Sequence, residues 1–190
     1  MGRKKKVIQQ TKVITIVHGQ SEYVLCSHVK SNLRIKHEII SRDKGKTSIQ
    51  VNGLVDLLSR DRRLKSRNSL KREFPDIDLE NFKLFIIMDV DDCNSVTKEK
   101  FKNKELFKDF WLYPHIVPIY NEPKLEKTME DIGITIQHKK EYITIFPTSH
   151  GDLDLDMAKD FYEKLKTSRH SNLHEYVKFC IECCEENLKT

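Results

Sequence analysis

Short apolar runs alternate along the chain with longer segments in which apolar residues recur at helical spacing. Runs at residues 12–17, 35–41, 83–88 and 116–120 are rich in β-branched or aromatic residues and short, which predicts four β-strands. A further run at residues 141–146 predicts a last strand. Residues 83–88 form the most apolar run, so we expect this strand at the centre of a parallel sheet with both faces covered.

The segments around these strands predict helices, because their apolar positions would form one face of a helix. The predicted helices cover residues 22–33, 49–59, 98–111, 125–132, 154–166 and 172–188. We expect Ser21 to cap the first helix, Gly133 to end the fourth, and Pro118 to place its strand at a sheet edge or bulge. The alternation predicts an α/β fold with a mainly parallel, Rossmann-like sheet of about four or five strands, flanking helices and C-terminal helices.

Length and hydropathy set the expected organisation and location. The 190 residues suit one domain at 12–190, with a core to about residue 150 and C-terminal helices from about residue 151. Residues 1–11 are basic and predict a flexible tail. Since no apolar run approaches the roughly 18 to 20 residues that span a membrane, and no signal-peptide cleavage pattern follows the basic start, we expect a cytoplasmic protein without a membrane partner.

The five cysteines do not form a disulfide pattern, because their number is odd and three of them lie together at Cys180, Cys183 and Cys184. His170 and His174 lie just upstream and would allow a Cys/His metal site. Zinc usually needs four ligands, and no second Cys/His pair has the required spacing. We therefore favour the interpretation that these cysteines pack one side of a C-terminal helix as small apolar residues.

Positive charge is concentrated in two places, the N-terminal run and residues 60–72, within a formal net charge of +5. Such patches can bind the phosphates of DNA or RNA, although a solvated loop and helix face explain the charge equally well. For the loop lysines at positions 44 and 46, a solvated loop is the favoured interpretation. The candidate nucleic-acid contacts are Lys44, Lys46, Arg62, Arg63, Lys65 and Arg67.

Acidic side chains follow two of the predicted strands, and sites in open parallel sheets form beyond the carboxyl ends of strands. If those strands are neighbours, Glu22 faces Asp89 and Asp91 across a shallow cleft. Carboxylates held together repel one another unless a cation neutralises them, and hard oxygen ligands suit Mg²⁺ or Mn²⁺. These three residues are therefore candidate metal ligands. The alternative is that the carboxylates cap a helix N-terminus, which we favour for Asp92.

The same residues resemble the pattern of a Toprim domain. That pattern is an apolar strand ending in Glu-Gly, a helix, and a later apolar strand ending in Asp-x-Asp. Residues 14–22 resemble the first part with His18 in place of the Glu, and residues 85–91 resemble the last part. The Gly-Gln-Ser-Glu sequence at 19–22 is similar to the continuation found in overcoming-lysogenization-defect nucleases. Residues 120–126 resemble a Pro-hydrophobic-Glu segment of Toprim-related phage-defence proteins. The resemblance covers roughly residues 12–126.

The resemblance implies a nuclease that depends on Mg²⁺ or Mn²⁺ and acts on DNA or RNA. It implies that Glu22, Asp89 and Asp91 hold the metal and, with His18, form the catalytic group. His18 stands where the family has its first Glu, which is implied to be a general base or metal ligand. A neutral imidazole can accept a proton but is a poor Mg²⁺ ligand. The resemblance also implies a phage-defence role with a partner, a separate ATPase or defence-system subunit.

Two alternatives stay open. The first is a catalytically inert Toprim-like module that binds nucleic acid or another protein, which the replacement at His18 favours. The second is a phosphatase of the haloacid dehalogenase type, because Asp89-Val90-Asp91 fits its nucleophile motif. That motif calls for Thr or Val at position 93, which is Cys93 here, and usually occupies the first strand. We therefore rank the phosphatase below the nuclease.

Overall fold

The computed structural model describes residues 9–136 and 153–189, and within them four parallel strands form a sheet. The strands are β1 (Val13–Val17), β2 (His37–Ile40), β3 (Lys83–Asp89) and β4 (Ile116–Asn121), in the spatial order β2-β1-β3-β4. Every residue of β1 is buried, as is every residue of β3 after the first, because both central strands are covered on two faces. The four predicted strands are thus confirmed, while the predicted strand at 141–146 lies outside the described residues.

The described segments between and after the strands are largely helical, which confirms an α/β, Rossmann-like fold with C-terminal helices. The α-helices of the described residues are α1 (Gln20–Leu33), α2 (Leu54–Arg60), α3 (Arg67–Glu73), α4 (Ser95–Lys102), α5 (Leu125–Asp131), α6 (Leu155–Leu165) and α7 (Leu173–Lys189). Within residues 9–136 and 153–189, no helix combines the length and the apolar character needed to cross a membrane.

Local capping moves several helix ends from their predicted positions. The helix predicted at 98–111 begins earlier, since the Asn94 side chain accepts a hydrogen bond from the Thr97 amide at 2.9 Å, and it ends at Lys102. Lys104 then adopts a left-handed conformation, which separates α4 from a short 3₁₀ turn at Glu105–Phe107. These signals override the longer apolar periodicity.

Two further differences involve the segment after β2. The predicted helix at 49–59 begins as a 3₁₀ turn at Val51–Gly53 and becomes α-helical only from Leu54. Residues 67–73 of the basic stretch form α3, which the apolar pattern did not predict. The Ser66 hydroxyl caps this helix by accepting a hydrogen bond from the Ser69 amide at 3.1 Å.

Each face of the sheet carries its own apolar core. One core lies under α1, α5, α6 and α7 and includes Phe85 and Tyr176; the other lies under α2, α3 and α4 and includes Ile14 and Ile86. The three C-terminal cysteines are free, buried and part of the first core. The interpretation that they pack as small apolar residues is therefore confirmed.

The end of the predicted tail is fixed against the rest of the protein. Thr11, which the pattern assigned to that tail, is buried and forms an isolated bridge with Ile77. Its amide donates to the Asp76 carbonyl at 2.9 Å, and its carbonyl accepts from the Asp78 amide at 3.0 Å. Thr11 is therefore held beside the start of β1.

The C-terminal segment 170–172 runs along the outer edge of β4. The Asn172 side-chain oxygen accepts from the Tyr120 amide at 2.9 Å, and its NH₂ group donates to the Pro118 carbonyl at 3.0 Å. The Glu122 amide donates to the His170 carbonyl at 2.7 Å. β4 is an edge strand of the described sheet, as Pro118 predicts, and this segment satisfies backbone groups that the edge would otherwise leave unpaired.

Candidate functional site

The carboxyl ends of β1 and β3 meet, because these central strands are parallel neighbours with Val17 opposite Ile87. The pairing continues one residue beyond β1, where the His18 amide donates to the Ile87 carbonyl at 2.9 Å. Since Asp89 ends β3, the fold brings the turn after β1 and this carboxyl group to the same edge of the sheet. This adjacency is the condition on which the predicted site depends.

Glu22 lies in the first turn of α1 and folds back onto the turn that precedes the helix. Its side chain is buried, and Oε2 accepts a hydrogen bond from the Gly19 amide at 2.9 Å. Gly19 is the residue that precedes α1, so the prediction of Ser21 as the cap is wrong. The Ser21 hydroxyl donates instead to Oε1 of Glu126 in α5, at 2.8 Å.

Asp89 is buried and held from the side of β4 and α5. Its Oδ1 atom accepts hydrogen bonds from the Leu125 amide at 3.0 Å and from the Asn121 NH₂ group at 3.3 Å. Burial, followed by the negative charge of Glu22, raises the pKa of Asp89 to about 8, while His18 and the Asn121 hydrogen bond oppose the rise. At neutral pH this carboxyl group is therefore mostly protonated, and Glu22 lies close enough to influence it.

The two aspartates after Asp89 differ from it. Asp91 is exposed, so it does not join the buried pair. Asp92 is half-buried, and burial raises its pKa above the usual range. The interpretation of Asp92 as the cap of the following helix is wrong, because the cap of α4 is Asn94.

His18 is half-buried and its ring is oriented by the backbone. Nδ1 lies 2.9 Å from the Ile49 carbonyl oxygen, which can only accept a hydrogen bond, so Nδ1 carries the hydrogen. In the neutral ring this leaves the Nε2 lone pair available to accept a proton or bind a cation. His18 partly opposes the rise in the pKa of Asp89 and of Asp92, so it lies near both carboxyl groups.

Sequence reasoning missed two residues of this edge. Asn121 is fully buried at the end of β4, beside Asp89, and Glu126 adds a further negative charge that raises the pKa of Asp89. The rule that found Asp89 also applies to Asn121, since both end an apolar strand. Glu126 lies in the segment quoted only for its resemblance to phage-defence proteins, so nothing in the apolar pattern indicated its place.

The predicted metal ligands are carboxylates, whose hard oxygen atoms suit Mg²⁺ or Mn²⁺. Within the described residues, no group of three or more His, Cys, Asp or Glu side chains is placed to hold a metal ion. Mg²⁺ commonly needs only one or two carboxylates, because water and substrate phosphate complete its shell. Glu22 and Asp89 fit this requirement as two buried, interacting carboxyl groups, whereas Asp91 is exposed.

The predicted phosphate contacts divide into two groups. Five side chains are exposed: Lys44, Lys46, Arg62, Lys65 and Arg67. Arg63 is held by Asp61, since its Nε and Nη2 atoms donate to the two carboxylate oxygens at 3.0 and 2.7 Å. The first group is thus accessible to a phosphate, while the Arg63 charge is already partly neutralised.

The loop that carries Lys44 and Lys46 packs against the turn before α1. Gly45 has φ of +85°, and a Cβ atom there would lie 2.6 Å from the Gly19 carbonyl oxygen. Glycine is required by both the conformation and the contact. The two lysines therefore flank a residue in contact with the candidate site.

Comparison with known proteins identifies no relative. No family model matches the chain, and neither a curated protein nor a solved structure matches it.

Proposed function

We propose that this protein is a Toprim-like nuclease that acts on nucleic acid with the help of Mg²⁺ or Mn²⁺. The observation that carries the proposal is the pair of buried carboxyl groups, Glu22 in the first turn of α1 and Asp89 at the end of β3, where the adjacent parallel strands β1 and β3 end. Burial first, and then the negative charge of Glu22, raises the pKa of Asp89 to about 8, so the two groups do not readily carry their charges together without a cation. A hard divalent cation would relieve this repulsion.

Each residue has a distinct part in the proposal. Glu22 and Asp89 would hold the ion, which when bound would polarise a phosphoryl oxygen of the nucleic acid. The Gly19 and Leu125 amides orient these two carboxyl groups through hydrogen bonds. His18 offers Nε2 as a proton acceptor beside them. Asp91 is a third predicted ligand, and its side chain is exposed.

Electrostatics supports nucleic acid as the class of substrate. Lys44 and Lys46 are exposed on the loop that contacts Gly19, so they can bind phosphates next to the carboxyl pair. Arg62, Lys65 and Arg67 add exposed positive charge on the segment after α2. Exposed lysines and arginines contact phosphates without regard to base sequence, so we expect weak sequence preference.

Cleavage assays with the Asp89→Asn variant test the proposed function. We expect the wild-type protein to cleave DNA or RNA with Mg²⁺ or Mn²⁺ and not with EDTA. Asp89→Asn should lower the rate by more than about 100-fold, because losing a ligand costs more than the 10–100-fold typical of residues that support one. The exposed α6 residue Asp160 provides the matched control, Asp160→Asn, with an unchanged rate. Undiminished cleavage by Asp89→Asn would exclude the assigned site.

A catalytically inert Toprim-like module that works with a separate ATPase or defence-system subunit is the second candidate. It is favoured by His18, and by the hydrogen bonds that give Glu22 and Asp89 structural roles as well. Under this proposal the wild-type protein binds nucleic acid in a salt-dependent manner and cleaves neither DNA nor RNA. Cleavage that arises only in the His18→Glu variant would identify the replacement at position 18 as the cause of inactivity.

A further inference from the structure

The Asn121 side chain joins three elements at the candidate site. It is fully buried, and its NH₂ group donates to Asp89 Oδ1 at 3.3 Å. Its Oδ1 atom accepts from the Ser171 hydroxyl at 2.9 Å and from the Thr128 hydroxyl at 3.4 Å. One amide thus connects β3 with α5 and with the segment that precedes α7.

Ser171 is itself fixed in place. It forms an antiparallel bridge with Asn121, and its Oγ accepts a hydrogen bond from the Leu173 amide at 3.0 Å. The hydroxyl hydrogen is therefore directed at the Asn121 side-chain oxygen. An amide held by its oxygen presents its NH₂ group on the other side, where Asp89 lies. Rotation of the amide would instead place its oxygen against a carboxyl oxygen, and two acceptors repel each other.

The same region also fixes the backbone around Asp89. The Val90 amide donates to the carbonyl oxygens of Asn121 and Pro123, both at 3.1 Å, and the Leu125 amide donates to Asp89 Oδ1. Loss of the Ser171 hydrogen bond would therefore leave the strand pairing intact and affect the side-chain contact. This separation allows the two effects to be measured independently.

We propose that Asn121 and Ser171 are positioning residues for Asp89, and that the segment 170–172 thereby makes the C-terminal part of the chain a component of the candidate site. The consequence for metal binding rests on the proposed function, whereas the positioning of the Asp89 side chain does not. The segment lies outside residues 12–126, which the sequence resemblance covers, so the resemblance alone does not imply this role.

Substitutions at two adjacent residues test the proposal. Ser171→Ala removes the hydroxyl that orients Asn121. Asn172→Ala removes hydrogen bonds from the same segment to the same strand but leaves the Asn121 amide untouched. We expect both variants to unfold at lower temperature. Only Ser171→Ala should shift the NMR signals of the Asn121 NH₂ group and the Leu125 amide, and Ser171→Thr should restore them.

Mn²⁺ titration of the same variants supplies the functional measurement. We expect Ser171→Ala to bind Mn²⁺ about 10–100-fold more weakly than the wild type, as is typical for residues that orient a metal ligand, and Asn172→Ala to bind it almost unchanged. If Ser171→Ala does not fold, the isosteric Thr128→Val should give a smaller shift of the same NMR signals.

Three results would overturn the proposal. The first is a folded Ser171→Ala variant in which the NMR signals of the Asn121 NH₂ group and the Leu125 amide are unchanged. The second is an Asn172→Ala variant that shifts these signals as much as Ser171→Ala does. The third applies where Ser171→Ala does not fold, and is a Thr128→Val variant in which the same signals are unchanged. Absence of both Mn²⁺ binding and cleavage in the wild type would instead refute the proposed nuclease, because the NMR comparison needs neither activity.

Discussion

At the scale of single residues, Asp89 combines a structural cost with its proposed role. Its pKa of about 8, raised first by burial and then by Glu22, lies above the ordinary value of 3.8. Between about pH 4 and pH 8, the folded protein therefore holds a proton on Asp89 that the unfolded chain has already released. The resulting stabilisation is fully present below pH 3.8 and is lost as the pH rises through about 8.

The Asp89→Asn substitution should remove this pH dependence while retaining an oxygen that can accept from the Leu125 amide. We expect its free energy of unfolding to gain about 4 kcal/mol on that of the wild type between pH 5 and pH 9, because the folded wild type keeps its proton over about three of these pH units and each unit corresponds to about 1.4 kcal/mol. Urea unfolding at both pH values measures the difference, and a variant destabilised equally at both would contradict the expectation.

The residues of the site were predictable only in part. Glu22 and Asp89 follow apolar strands, and the rule about strand ends identifies them without any structure. Their meeting also requires β1 and β3 to be neighbours, which the apolar pattern does not determine. The contact between Asn121 and Ser171 spans 50 residues and depends on which segment closes the β4 edge. Nothing local in the sequence encodes that choice.

At the scale of elements, the strands were easier to predict than the helix ends. Burial on both faces requires continuous apolar runs, so all four described strands are visible in the sequence. Helix ends depend on single residues such as Asn94 and Ser66, whose side chains cap α4 and α3, and on the left-handed Lys104. A single cap outweighs the weaker preferences of several neighbouring residues.

The contact between the 42–46 loop and the turn before α1 gives a test at this scale. Gly45→Ala should lower the free energy of unfolding by about 1–3 kcal/mol, because Cβ would meet the Gly19 carbonyl and φ is positive. Gly53→Ala is the control, since no atom lies within 4 Å of a Cβ built there, and it should change stability by less than about 1 kcal/mol. Thermal unfolding compares the two; equal losses would disprove the close contact.

At the scale of the whole molecule, negative and positive side chains occupy different positions. The carboxyl pair is buried where β1 and β3 end, whereas the exposed lysines and arginines lie on the loop after β2, which contacts Gly19, and on the segment after α2. This arrangement suits a polyanion whose backbone is bound by the exposed cations while one phosphate reaches the acidic centre through a cation. Length, composition and net charge alone do not determine where on the folded surface these charged side chains lie.

Salt dependence of nucleic-acid binding tests this arrangement. Replacing Lys46 and Arg62 by Gln should reduce the slope of log affinity against log salt concentration by about 0.7–0.9 for each phosphate that the protein no longer neutralises. The exposed α6 residue Lys164 provides the control, Lys164→Gln, which should leave the slope unchanged. Fluorescence anisotropy over a series of salt concentrations measures the slopes of the wild type and of both variants. Identical slopes would place the nucleic acid elsewhere on the surface.

The hydrogen bond between Ser171 and Asn121 has a consequence for how the protein is made. Ribosomes add about 5–20 residues per second, so the 50 residues between these partners take roughly 3–10 seconds to synthesise. During that interval a nascent chain can already contain all four described strands, but the outer edge of β4 still lacks its partner and the Asn121 amide lacks its orienting donor. A chain released before Ser171 is added would contain the four described strands but would lack the hydrogen bond that orients the Asn121 amide toward Asp89.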